Sequence, residues 1–391
     1  MSELASEPVS APAERVVPQA EVVVDLDAIA ANTAVLRERV GRPLMAVVKA
    51  DGYGHGLVPA ARAVLAGGAD SLGVAVLGEA LALRAAGITA PLLAWLHGPG
   101  TDYAAALAAD VEVSVNADWA LDEVLAAVRA TGRPARLHLK ADTGLSRAGA
   151  TPAEWPGLVA AAARAQADGE IEVVGLWSHM IYADAPTHPS IAAQVGVFEE
   201  AVALARGAGL TEARLHLANS AATIALPDTW YDFVRPGVAL YGLDPLGGDP
   251  ADYGLRPAMT VQAAVALAKR VPAGTGVSYG HAYFTDRETT LALVPVGYAD
   301  GVPRAAGNRA PVLAAGAQRV IAGRVCMDQF VLDVGDAAVE PGDPVVLWGP
   351  GDRGEPTAQQ WADALDTIHY ELVTRVGGRF TRRYVGSAGA V

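Results

Sequence analysis

The chain is predicted to fold as a (β/α)8 barrel followed by a C-terminal mostly-β domain. Three observations carry that prediction. Its 391 residues correspond to two or three domains at roughly 150 residues each. Between positions 43 and 241, eight short apolar runs alternate with longer amphipathic stretches, the pattern of βαβ units feeding a parallel sheet. After Tyr241 the helical periodicity fades, and β-rich runs alternate with Gly/Pro turns.

The first strand, 22–25, precedes a helix-like stretch at 26–40, and its pattern suits either domain. Barrel strands are then expected at 44–48, 71–76, 91–96, 111–115, 135–139, 171–177, 213–217 and 233–240. Between them, stretches such as 78–86, 117–130 and 191–206 place apolar residues at helical spacing. Eight such runs in this span suit a closed barrel better than an open doubly wound sheet. Strands of the second domain are expected at 261–268, 289–295, 318–322 and 329–334. The division that follows is a leader at 1–19, a cofactor-binding barrel at 20–242 and a β domain at 243–391. The leader is rich in Ala, Pro, Ser and Glu, lacks the basic and apolar regions of a secretory signal, and is expected to be disordered.

Composition narrows the function. Asp and Glu number 43 against 29 Lys and Arg, a net charge of −14, which repels nucleic-acid phosphates and anionic lipid. No nucleic-acid or membrane partner is therefore expected. One cysteine, Cys326, excludes an intramolecular disulfide framework and a cysteine-rich zinc site, and suits a reducing compartment. Every apolar stretch is cut short of the about 18 residues a membrane span needs. A cytoplasmic location is the expectation, and no metal is assigned.

The chemistry should sit at the C-terminal ends of the barrel strands. The first run ends Lys49-Ala50-Asp51-Gly52-Tyr53-Gly54-His55-Gly56. A lysine at the mouth of an apolar barrel is partly desolvated, which lowers its pKa and suits it to Schiff-base chemistry; the structural reading is a lysine that snorkels to solvent. The fifth run, Arg136-Leu137-His138-Leu139-Lys140, alternates polar residues inside a buried strand and leads to Arg147. Lys140 and Arg147 need an anionic partner, from a salt-bridge layer or from a bound cofactor. Ser178-His179 ends the sixth run, and His216 to Ser220 and Arg235-Pro236-Gly237-Val238 lie at the last two strand ends, where barrels of this type often bind phosphate. No P-loop, dinucleotide fingerprint, H-E-x-x-H or G-x-S-x-G occurs.

Seven segments quoted in chain order resemble the alanine racemases: 47–56, 140–144, 216–220, 234–237, 277–280, 296–301 and 323–328. The similarity runs from about 22 to 384. It implies a pyridoxal 5'-phosphate enzyme that interconverts L- and D-alanine for peptidoglycan, with a broad-specificity racemase of the same fold as the alternative. Lys49 then carries the cofactor and serves as one acid/base. Tyr279, supplied by the second subunit of a homodimer, serves as the other. Two bases are needed because racemisation removes a proton from one face of a planar carbon and returns one to the opposite face. Tyrosine and lysine have similar unperturbed pKa values, about 10 and 10.4, so neither direction is favoured strongly.

By the same resemblance, Arg235 meets the pyridine nitrogen and is backed by His179. A permanent cation there leaves the ring nitrogen unprotonated and disfavours decarboxylation. Tyr53, Ser220, Gly237, Val238 and Tyr370 form the phosphate pocket, with Asn219 beside it. Arg147 lies near the phenolic oxygen, and Lys140 matches a lysine that is often carbamylated. Met327 and Tyr298 meet the substrate carboxylate region with Arg147, while Arg304, Arg324 and Tyr370 line the entry corridor. Gly52, Leu145 and Met180 stand where the family more often has alanine, methionine and an aromatic.

Overall fold

The structure, a computed structural model, describes residues 19–389. The leader expected at 1–19 lies outside the described residues except for Gln19. Strand β1 (Ala20–Asp25) runs into helix α1 (Leu26–Val40). Asp25 caps that helix by accepting from the Ala28 N–H at 3.0 Å, and Gly41 ends it in the left-handed conformation.

Seven parallel strands follow in sequence order around one sheet: β2 (Met45–Val47), β3 (Ser71–Val74), β4 (Leu92–Ala94), β5 (Glu112–Val115), β6 (Ala135–Lys140), β7 (Ile171–Trp177) and β8 (Arg214–His216). Residues 233–236 take the eighth position. Met45 N–H donates to Val234 O at 2.9 Å and Val47 N–H to Pro236 O at 3.0 Å. On the other side Asp232 N–H reaches Leu215 O at 3.1 Å and Arg235 N–H reaches Ala218 O at 2.9 Å. These bonds close the ring. The strand expected at 233–240 stops here, because Gly237 turns the chain into a 3-10 turn at Val238–Tyr241. Each of the seven strands is followed by a helix, from Leu57–Ala66 after β2 to Ser220–Ala225 after β8. Met45, Leu93 and Phe233, with Trp95 packed on them, fill part of the barrel interior, while Leu72, Leu92, Leu137 and Leu139 on the alternate strand faces join the core shared with the surrounding helices.

The β domain is a six-stranded sheet in the order Ala317–Val320, Pro311–Ala314, Pro344–Trp348, Met259–Ala264, β1, Thr381–Val385. The boundary expected at 20 therefore gives way to a different assignment. β1 is antiparallel to Met259–Ala264, with Val22 opposite Val261, and parallel to Thr381–Val385. Val22 and Val24 are buried in that sheet, and Glu21 pairs with Arg383 at 2.6 Å. The run expected at 261–268 divides in two. Its second part, Leu267–Val271, joins Thr289–Val294 and Phe330–Gly335 in a separate three-stranded sheet. A short hairpin, Gly276–Val277 with Tyr283–Phe284, carries Tyr279 in its connection. Among the described residues, no helix is long and apolar enough to cross a membrane.

Candidate active site

At the C-terminal ends of the barrel strands lies a cavity of about 460 Å³. Lys49 enters it from the end of β2, Lys140 from β6, and Arg147 and Ala148 from the loop after β6. His179 follows β7, Asn219 and Ser220 follow β8, and Arg235, Gly237 and Val238 come from the closing segment. Tyr53 and Tyr370 complete one wall, the latter from helix His369–Arg375 of the β domain. All eleven of the cofactor-site and carbamylation candidates named above thus share one space.

Lys49 is aimed by a local conformation rarely seen for L-residues. Ala50, Asp51, Gly52 and Tyr53 all have positive φ, between 52° and 62°, which makes one left-handed turn and costs roughly 1–2 kcal/mol for each non-glycine. Side chains from three elements hold it. Glu79 accepts from Ala50 N–H at 2.7 Å, Asp51 accepts from Leu57 N–H at 2.8 Å, and Arg382 pairs with Asp51 at 2.8 Å while bonding Gly54 O at 3.0 Å. His55 is fully buried, and its Nδ1 lies 2.9–3.0 Å from the Tyr53 and Gly52 carbonyls.

The electrostatics call for an anion. Four cationic side chains, those of Lys49, Lys140, Arg147 and Arg235, line the cavity, and among the described residues no Asp or Glu does. Burial, with repulsion from Arg147, holds the Lys49 amine below its ordinary pKa against a smaller pull from Glu79. Burial and the neighbouring Arg235 and Arg147 bring Lys140 down to about 8. Burial brings Arg235 to about 9, which leaves it charged at neutral pH. His179 is held well below the usual range by desolvation and by all four cations, so it is neutral. Tyr53 and Tyr370 are pushed up by burial and stay as phenols able to donate. The Ser220 Oγ accepts from Gly237 N–H at 2.7 Å. A side chain at position 237 would meet the Tyr53 hydroxyl at 2.3 Å, so this wall needs glycine.

Two residues with no assigned role from sequence help build the site. Trp177 lies under both Lys140 Nζ (4.2 Å from the ring centroid) and Arg235 Cζ (4.8 Å), and stacks on His216. His216, not His179, is the imidazole bonded to Arg235: its Nδ1 lies 3.1 Å from Nη1, while Nη2 donates to Ser178 O at 2.8 Å. His179 lines the cavity instead. The period-two alternation of β6 marked the polar face, but the partner lies on β8, and only barrel closure brings them together.

The remaining candidates lie apart from this cavity. Tyr279 is 72% exposed on the β domain, in a shallow depression with Ser278, Gly280, His281, Cys326 and Gln329. Arg324 lies against Gly280, its backbone oxygen accepting from Ser278 at 2.7 Å. Met327 and Tyr298 are exposed nearby, joined by the Tyr298 N–H to Cys326 O and Ala299 N–H to Met327 O bonds. Arg304 is exposed at the start of a 3-10 turn. Of the corridor residues, only Tyr370 lines the cavity of Lys49.

Residues 24–245 match the family model for the alanine racemase N-terminal domain, and residues 258–384 match that for the C-terminal domain. The chain belongs to the alanine racemase family. Its members are isomerases that depend on pyridoxal phosphate. The alanine racemase of Frankia casuarinae is 62% identical over 93% of this chain and 95% of its own length. That of Salinispora arenicola is 59% identical over 94% and 99%. Among solved structures, the alanine racemase of Streptomyces lavendulae superposes with a TM-score of 0.94 at 54% identity, covering 95% of this chain and 98% of that one. The alanine racemase of Bartonella henselae, solved with covalently bound pyridoxal phosphate, gives 0.84 at 28% identity, covering 94% and 100%. The alanine racemase fold thus accounts for both the barrel and the β domain.

Proposed function

We propose that this racemase interconverts L- and D-alanine with pyridoxal phosphate bound in the Lys49 cavity, and that it works as a homodimer. The observation that carries the proposal is the composition of that cavity: a desolvated lysine among three further cations, with no carboxylate lining the space. An anionic cofactor bearing an aldehyde fits this donor set. The Ser220 hydroxyl, the Gly237 and Val238 backbone and the Tyr53 and Tyr370 phenols would hold its phosphate, with Asn219 and His179 lining its pocket. Arg235 would face the ring nitrogen, and Arg147 the phenolic oxygen. When bound, the group would supply a carbonyl for amine exchange and a ring that draws electrons from the Cα–H bond.

Lys49 is proposed to anchor the group and to hold or release a proton through Nζ on one face of the substrate. Its lowered pKa enlarges the fraction able to accept that proton near neutrality. Tyr279 Oη is proposed to serve the opposite face from the partner subunit, consistent with its exposure on a surface away from Lys49. Arg235 has no proton to exchange at working pH, so it favours simple return of a proton to Cα. Met327 N–H and Tyr298 are proposed to meet the substrate carboxylate with Arg147, and Arg304 and Arg324 to narrow the approach with Tyr370. Lys140, neutral in part at pH 8 and buried against Trp177, is the amine suited to carbamylation, which would place an anion beside Arg147. The single cysteine and the acidic balance support a cytoplasmic enzyme supplying D-alanine for the cell wall.

Protein incubated with L-alanine in deuterated water should lose optical activity and gain deuterium at Cα. A cofactor-loaded protein that exchanges no Cα hydrogen would overturn the proposal. Serine, lysine or arginine racemised as fast as alanine would make it a broad-specificity racemase.

A further inference from the structure

Arg235 is a buried cation, and its immediate neighbours are Trp177, His216 and backbone carbonyls, with Lys140 also close by. A buried charge of this kind needs a counter-charge. A continuous line of hydrogen bonds leads to one. Arg235 Nη1 lies 3.1 Å from His216 Nδ1, His216 Nε2 lies 2.8 Å from His138 Nδ1, and His138 Nε2 lies 2.9 Å from Glu112 Oε2. All four residues are at most 6% exposed. The line crosses the barrel from the catalytic end to a 140 Å³ pocket at the opposite end, where Glu112 meets Arg136 at 2.5 Å.

We propose that Glu112 is the counter-charge of Arg235, acting through His138 and His216, and so is a positioning residue for the ring-facing guanidinium. This rests on the reading of the Lys49 cavity as the cofactor site. The polarity of the line follows from chemistry. Arginine only donates, so His216 Nδ1 must accept and its proton sits on Nε2. That proton points at His138 Nδ1, which must also accept, leaving the His138 proton on Nε2 to be given to the Glu112 carboxylate. Both imidazoles are therefore neutral Nε2–H tautomers, and a doubly protonated His138 would set two donors against each other. The groups facing the line agree with this polarity. The hydrogen bond from His138, with Arg136 of β6 and Arg214 of β8 flanking it, helps hold the Glu112 carboxyl ionised against the upward pull of burial, while burial, Arg235, Arg214 and Lys140 keep His216 neutral. The backbone is shaped for it too. β6 and β7 shift register beside His138, and a Cβ on Gly175 would lie 2.1 Å from His138 Nδ1.

The test uses two measurements. Histidine 15N shifts in the full-length, cofactor-free protein should show His138 and His216 neutral and protonated on Nε2. A doubly protonated His138, or a proton on His216 Nδ1, overturns the proposal whatever the enzyme's activity. In the holoenzyme, Glu112→Gln keeps an oxygen to accept from His138 but removes the charge. It should lower kcat roughly tenfold, the order seen when a partner behind a functional ligand is lost. KM should change little, and the alkaline limb of the kcat profile should move to lower pH, because Arg235 then loses its proton more easily. Glu172→Gln removes an exposed carboxylate 3.9 Å from the same Arg136 and should change neither. A Glu112→Gln enzyme with wild-type kcat and pH profile overturns the proposal, whereas a protein that neither binds cofactor nor racemises alanine but shows the stated tautomers sinks only the reading of the cavity.

Discussion

Lys49 and Lys140 enter the same cavity with lowered pKa values, yet their neighbours set them different tasks. Lys49 sits near Glu79 at the end of a left-handed turn, whereas Lys140 is packed on Trp177 between two arginines. Reduction with borohydride should attach the cofactor to Lys49, and Lys49→Ala protein should carry no label by mass spectrometry; label on Lys140 would contradict the assignment. Tyr279→Phe should retain cofactor while racemisation falls by about 10²–10⁴, the range for loss of a positioned acid/base. Undiminished racemisation would remove Tyr279 from the mechanism. Lys140 also predicts a pH effect on folding. Its folded value, about 8, lies below the ordinary 10.5. Between those pH values the unfolded chain holds a proton that the folded chain has released, so stability rises with pH across the window. The destabilisation at lower pH is on the order of 3 kcal/mol. Lys140→Met in bicarbonate-free, cofactor-free protein should flatten that rise, as read from urea midpoints at both ends of the window.

At the scale of elements, the segment 49–56 shows how local strain is tolerated when other elements clamp it. Glycine at 54 is required twice over: its φ is +82°, and a Cβ there would stand 2.0 Å from the Val373 carbonyl oxygen in the β domain. Gly54→Ala should therefore cost about 3–5 kcal/mol by urea unfolding, the range for steric conflict added to backbone strain. Gly41, at the C-terminus of α1, has φ +57° with nothing within 4 Å of a Cβ. Gly41→Ala should cost only about 1 kcal/mol. Equal losses at the two positions would mean that the clamp by the β domain contributes little.

For the whole molecule, the decisive fact is that Lys49 and Tyr279 lie on different faces of one chain. β1 and the clamp from Arg382 tie the β domain to the barrel within the chain, so on the proposed two-base reading the second base would come from another chain. In the proposed twofold dimer, each Tyr279 would reach the other chain's cavity. The expected outcome is complementation. Lys49→Ala and Tyr279→Phe proteins, each inactive, should recover about a quarter of the wild-type sites after random mixing, because half the dimers then carry one intact site. Mixed protein that stays inactive although subunit exchange is complete would refute a shared site.

The sequence by itself determined the alternation of strands and helices, the barrel-end positions of Lys49, Lys140, His179, Ser220 and Arg235, and the need of Lys140 and Arg147 for an anionic partner. These are local properties: periodicity and residue type survive without knowledge of partners. Only the tertiary structure decided that β1 joins the second domain's sheet, since its partners on both sides, Met259–Ala264 and Thr381–Val385, lie far away in the sequence. It alone showed that His216 rather than His179 supports Arg235, because β8 and the closing segment become neighbours only when the ring closes. The separation of Tyr279 from Lys49 is likewise a matter of where two domains place their surfaces, which no spacing along the chain encodes.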